Sequence, residues 1–127
     1  MFKLCSALVA TAVAFGSQAA LADTQQDRSM KQLAATSGCV ACHSIQPGSS
    51  GPDGMAPIGP AWQDVAERYK NDRSAAKILT KTVLEGNNPY LSHWKGKVSG
   101  VAMPPNAVAI KETDVKKLVN WILALKN

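Results

Sequence analysis

The sequence predicts an all-α domain, and three observations carry that expectation. Four segments repeat their apolar residues with the period of a helix, and none alternates convincingly with the period of a strand. The two long stretches between them are broken by glycine and proline. The run Cys39-Val40-Ala41-Cys42-His43 then supplies a centre around which short helices can pack.

Taken in order, the chain opens on a targeting segment. Lys3 gives a positive start, residues 4–15 are apolar, and Ala20-Leu21-Ala22 has the small-x-small pattern that precedes a cut at Asp23. Residues 1–22 are therefore expected to be a cleaved signal peptide, with residues 23–127 as the domain. The apolar stretch is well short of the ~20 residues a spanning helix needs, so an integral membrane protein is not expected. Cys5 leaves with the leader, and so do Phe2 and Phe15. The remaining 105 residues keep two cysteines and five aromatics, namely Trp62, Trp94, Trp121, Tyr69 and Tyr90. A single small domain with so thin a core is easier to build around a large apolar group.

Residues 23–27 are polar and expected to fray. Beyond them Met30, Leu33, Ala34 and Ser37 fall on one helical stripe, with Met30 read as a packing residue, and Gly38 releases the chain into the cysteine run. Residues 44–60 hold eight glycines and prolines, too many for a helix or a central strand. So long a connection implies a binding role, and Pro60 suits the first turn of the next helix. That helix carries Trp62, Val65, Ala66 and Tyr69 on one side, with Gln63, Asp64, Glu67, Arg68 and Lys70 on the other. The next helix has Ser74 as N-cap, an apolar side of Ala75, Ile78, Leu79, Thr82 and Val83, and Gly86 as its stop. Asn87-Asn88-Pro89 makes a turn, and residues 90–109 form a second loop. The last helix shows Val115, Leu118, Val119, Ile122 and Leu125 inward and Lys116, Lys117, Asn120 and Lys126 outward. Thr113 is its better cap, although the pattern extends back to Lys111, and its lysines sit late enough to favour the helix dipole.

Cys-x-x-Cys-His in an exported chain reads as the covalent attachment site of haem c. Thiols three positions apart lie on neighbouring faces of one helical turn and can add to two vinyl groups on one porphyrin edge, which brings the adjacent imidazole under the ring. Cys39 and Cys42 are thus the attachment residues and His43 the first axial iron ligand. Three alternatives are weaker. Zinc needs further ligands, and the mature chain offers only His93. A thioredoxin-like redox pair needs a βαβ setting, and a disulfide across two residues stabilises little.

A six-coordinate iron needs a second ligand, for which Met30, Met55, Met103 and His93 are candidates. At about 3.3 Å per residue the chain after His43 is long enough for Met55 to reach. Met103 is preferred, because Pro104 and Pro105 fix the backbone behind it and a rigid soft ligand moves little when iron changes charge.

The stretches Gly38-Cys39-Val40-Ala41-Cys42-His43, Ile58-Gly59-Pro60-Ala61-Trp62-Gln63-Asp64-Val65-Ala66, Met103-Pro104-Pro105-Asn106-Ala107-Val108 and Leu118-Val119-Asn120-Trp121-Ile122-Leu123 together resemble the small class I bacterial cytochromes c of the c551 type. The resemblance covers nearly all of the expected mature chain. It implies a four-helix class I cytochrome c fold wrapped around one covalently bound haem c, with His43 and Met103 as axial ligands. It further implies that the Pro60 carbonyl accepts the His43 Nδ1 proton, that Asn106 orients the Met103 sulfur, and that Trp94 approaches a propionate. The chain departs from the family at Ala34, where an aromatic is frequent, so Met30, Leu33 and Trp121 must fill that helix crossing differently. Residues 46–55 and 87–97 are longer than in the shortest members.

The function expected is a periplasmic one-electron carrier; the alternative is a haem c electron-transfer subunit of a larger periplasmic dehydrogenase or reductase. A gas sensor or peroxidase would need an open iron position, which Met103 argues against, and no base, nucleophile or substrate pocket is legible, so no enzyme is expected. Without Lys3 the chain keeps 13 basic against 9 acidic side chains. That excess favours redox partners with acidic docking surfaces, with Lys95 and Lys97 as a candidate patch. No basic stripe with interleaved aromatics points to nucleic acid, and a monomer is expected.

Overall fold

The computed structural model describes the backbone of residues 17–126 and the side chains from residue 24 onward. The expected leader, residues 1–22, lies outside the described residues apart from the backbone of 17–22. Among the described residues four helices make the fold: α1 (Ser17–Thr36), α2 (Trp62–Tyr69), α3 (Ala75–Glu85) and α4 (Glu112–Leu123). Short 3-10 turns occupy Cys39–Ala41, Pro52–Gly54 and Pro89–Leu91, and there is no strand among the described residues. The expected all-α architecture is what the chain adopts.

The last helix is the hub, since α1, α2 and α3 each pack on α4. Its apolar stripe is the reason: Val115, Leu118, Val119, Trp121 and Ile122 are all buried, Val115 completely. Helix α1 contributes Ala34, also fully buried, with Met30 and Leu33 packed beside it. Ala34 and Trp121 belong to the same core cluster, and the Trp121 indole Nε1–H donates to Asp27 Oδ1 at 2.8 Å. That bond also accounts for a difference from expectation, because residues 23–27 are helical rather than frayed. Asp27 is tied to α4, and Gln25 is bonded one turn on by Arg28 and Ser29.

Other boundaries differ by a residue or a turn. Pro60 does not start α2; Ala61 is its N-cap, and the loop carbonyls of Ser44 and Ile45 accept from the orphan N–H groups of Trp62 and Gln63 at 2.9 and 3.1 Å. Ser74 does occupy the N-cap of α3, yet the acceptor is Asp72 Oδ1, bonded by the Ser74 N–H at 2.8 Å. The Ser74 hydroxyl, which also donates to Asp72 Oδ1 at 2.5 Å, and then the Ser74 N–H hold the Asp72 carboxyl below the usual carboxylate range. Helix α4 begins at Glu112, so Lys111 and not Thr113 is the N-cap. Two acids in its first turn favour that start, and they pair with Lys116 and Lys117, which lie mid-helix rather than late. On α3 the apolar side is rotated: Ile78 is exposed, while Ala75 and Thr80 are buried and Ala76, Leu79, Val83 and Leu84 pack against the core. Ile110, just past the second loop, is a further core residue.

Candidate cofactor site

The Cys39–Ala41 turn comes directly after α1, with Gly38 at φ 76° between them. The His43 N–H returns to the Cys39 carbonyl at 3.1 Å, so the two cysteines and the histidine sit on one compact turn. Cys39 is half-buried and Cys42 exposed. Burial pushes the Cys39 thiol up, with a backbone hydrogen bond opposing and the neighbouring Cys42 adding to the rise.

The loop after this turn folds back to hold the imidazole. Gly59 donates to the Cys42 carbonyl at 2.7 Å, and the Pro60 carbonyl accepts from His43 Nδ1 at 2.7 Å. A carbonyl can only accept, so the proton is on Nδ1 and the Nε2 lone pair is available for a metal. Burial pushes the imidazole below the ordinary histidine range, the Pro60 bond pulling the other way, and the neutral ring is the form iron takes. His43 also stacks on Trp62 at 6.0 Å and 20°, and Trp62 meets Trp121 edge-on at 5.7 Å. The ring lies so close to Gly59 that a Cβ there would stand 2.7 Å from His43 Cε1. Glycine is required by the approach itself.

The second loop closes on the first. Ser99 and Gly100 donate to the carbonyls of Pro57 and Ile58 at 2.9 and 3.0 Å. Between them opens a cavity of about 1060 Å³, its open mouth included, bounded by Cys39, Cys42, His43 and Pro60 together with Trp94 and Met103. Ile58, Val65, Leu79, Val83, Leu118 and Ile122 make its walls apolar. Met55 and His93 are not among its lining residues. Met55 is exposed beside the Pro52–Gly54 turn, and His93 is exposed against Arg68 (3.4 Å) and the edge of Tyr69 (6.0 Å). Met30 packs against the core.

Asn106 does not line the cavity. Its Nδ2 donates to the carbonyls of Pro104 at 2.6 Å and Val83 at 3.3 Å, so it fastens the methionine loop to α3 through the backbone. Trp94 lines the cavity half-buried, with Lys97 Nζ 5.9 Å from its ring centre. Sequence reading passes over Asn87 as a turn residue. It lines the cavity, and its Oδ1 accepts the Met103 N–H at 2.6 Å. Only its place just past a helix stop, on an asparagine able to accept from a distant backbone, hints at this.

The residues fit haem c. A thiol pair and a neutral imidazole with a free Nε2 share an apolar cavity with one thioether, and Gly59 leaves the imidazole edge uncrowded. The zinc alternative gains nothing, since no group of three His, Cys, Asp or Glu side chains gathers among the described residues.

The family model described as Cytochrome c matches residues 30–126. The chain is 39% identical over 93 residues to cytochrome c-551 of Allochromatium vinosum, covering 73% of this chain and 82% of that protein. It is 31% identical over 96 residues to cytochrome c-552 of Hydrogenobacter thermophilus, covering 76% and 81%. The crystal structure of wild-type Nitrosomonas europaea cytochrome c552 superposes with a TM-score of 0.57 at 31% identity, covering 76% of this chain and 99% of that one.

Proposed function

The chain belongs to the cytochrome c family, whose members carry one covalently bound haem c, and from that premise we propose that it is a periplasmic one-electron carrier in which His43 and Met103 ligate the iron. The observation that carries the reading is that His43 and Met103 line one apolar cavity together with Cys39 and Cys42. The bound haem supplies a one-electron iron couple. Cys39 and Cys42 hold it through two thioether bonds, and the apolar walls keep water away, which favours the less charged reduced state. Met/His ligation raises the potential further, a general property of cytochromes c.

Pro60 fixes the His43 tautomer and ring plane, and the prolines after Met103 hold its backbone, so little reorganises when charge changes. With His43 and Met103 both ligating the iron, no open position would remain for a substrate, and the protein is read as a carrier rather than an enzyme. No described helix is long and apolar enough to cross a membrane. Export rests on the leader, and cleavage before Asp23 is the expected start of the mature protein. Trp94 is read as the residue that meets a propionate; in support, it lines the cavity with Lys97 Nζ 5.9 Å from its ring centre.

The deciding experiment is the visible spectrum of the ferric wild type beside Met103→Ala. The wild type should show the thioether-to-iron charge-transfer band and the variant should lack it. A band that survives the substitution removes Met103 as ligand.

A further inference from the structure

We propose that Asn87 is the positioning residue for the Met103 thioether, a role that rests on the reading of Met103 as iron ligand. The two residues bond in both directions. The Met103 N–H donates to Asn87 Oδ1 at 2.6 Å, and the Asn87 N–H donates to the Met103 carbonyl at 3.2 Å. The first bond also settles the amide orientation, because only the oxygen end accepts.

The two prolines after Met103 make this pairing matter. Pro104 and Pro105 carry no N–H, so between Met103 and Asn106 the backbone has two donors only, one at each end. Both are spent on the end of α3: the Met103 N–H on Asn87, and the Asn106 N–H on the Val83 carbonyl at 3.0 Å. The prolines fix the internal shape of the segment but not its position. Its position is set at the Asn106 end by Val83 and at the methionine end by Asn87.

Gly86 makes the close docking possible. It sits at φ 81°, a conformation that favours glycine, and a Cβ there would stand 2.9 Å from the Met103 carbonyl oxygen and 3.1 Å from the Pro105 nitrogen. The α3 terminus is thus pressed against the methionine backbone, with Asn87 as the group that registers the two. Met103 itself is a flexible side chain with three rotatable bonds. A displaced backbone would let its sulfur leave the iron more easily.

Competition by added imidazole reads this directly. In the haem-loaded ferric protein, imidazole is titrated against the thioether charge-transfer band for wild type, Asn87→Ala and Asn87→Asp. Loss of one neutral hydrogen bond should tighten apparent imidazole binding by about two- to tenfold in Asn87→Ala. Asn87→Asp keeps an acceptor oxygen and should return most of the difference, while global unfolding followed by circular dichroism reports separately on the fold. If Asn87→Ala does not accumulate with haem, Asn87→Ser, whose hydroxyl stops short of the Met103 N–H, takes its place with the same expected tightening. A wild-type band with unmoved imidazole affinity in these variants overturns the proposal alone, as does equal tightening in Asn87→Ala and Asn87→Asp. A wild type with no band, or one that survives Met103→Ala, overturns the reading of Met103 as well.

Discussion

His43 Nδ1 and the Pro60 carbonyl oxygen lie 2.7 Å apart, the short end of the range for an N–H···O bond. The acceptor belongs to a residue whose neighbours are pinned on both sides: Gly59 to Cys42, and the Trp62 N–H to Ser44. The imidazole is thereby held in tautomer and in plane by the chain itself. An imidazole that donates strongly through Nδ1 is also the more basic at Nε2, which favours the ferric state.

Pro60→Ala keeps the carbonyl but frees φ at that residue, so the bond to His43 should lengthen and weaken. The reduction potential is then expected to rise, by up to about 60 mV, because one neutral hydrogen bond is worth at most roughly a factor of ten. Protein-film voltammetry of the two proteins measures it. A fall in potential would mean that the Pro60 bond does not set ligand basicity.

Gly59→Ala tests the close approach. A Cβ would stand 2.7 Å from Cε1 and 2.9 Å from Nδ1 of His43, and 3.0 Å from the Cys42 carbonyl, with ring and backbone both fixed. Overpacking of this kind costs about 1–3 kcal/mol. Denaturant unfolding of the haem-loaded variant should show that loss, and a stability equal to wild type would mean the loop can back away from the ring.

Much of this architecture is legible in the residues. The α4 stripe from Val115 to Ile122 keeps the helical period along the element and is buried as that period predicts, and the cysteine run defines a cofactor chemistry almost without context. What escapes depends on contacts between distant segments. Residues 23–27 look like a polar fringe until Trp121 reaches Asp27, 94 residues earlier in the chain. The inward side of α3 cannot be read from a periodicity that accommodates Ile78 as easily as Thr80. Asn87 has the composition of a turn, and its bond to Met103 spans 16 residues that local pattern does not connect. Resemblance alone directs Asn106 to the thioether, whereas its amide protons go to the carbonyls of Val83 and Pro104.

The Trp121–Asp27 bond joins the two ends of the domain, one partner buried and the other at the surface. Trp121→Phe and Asp27→Ala should each destabilise the haem-loaded protein, and a double-mutant cycle should give a coupling of about 1 kcal/mol, limited by the exposure of Asp27. Additive effects would mean that the indole packs without the help of its hydrogen bond.

Lys95 and Lys97 lie on the loop that leads to Met103. Lys95 Nζ is 5.8 Å from the Tyr90 ring centre and Lys97 Nζ is 5.9 Å from that of Trp94, a residue of the cavity wall. Tyr90, Leu91 and Val101 are strongly exposed in the same segment, so two positive charges border an apolar rim. An acidic redox partner would be steered to this edge over a range set by the Debye length, about 10 Å at 0.1 M salt and about 3 Å at 1 M. Replacing both lysines by glutamine should therefore slow bimolecular reduction by such a partner several-fold at low ionic strength and leave it nearly unchanged at 1 M salt. Stopped-flow reduction across a salt series separates this from a direct effect on the haem, which would persist at high salt. Equal rates for variant and wild type at low salt would move the docking surface away from this loop.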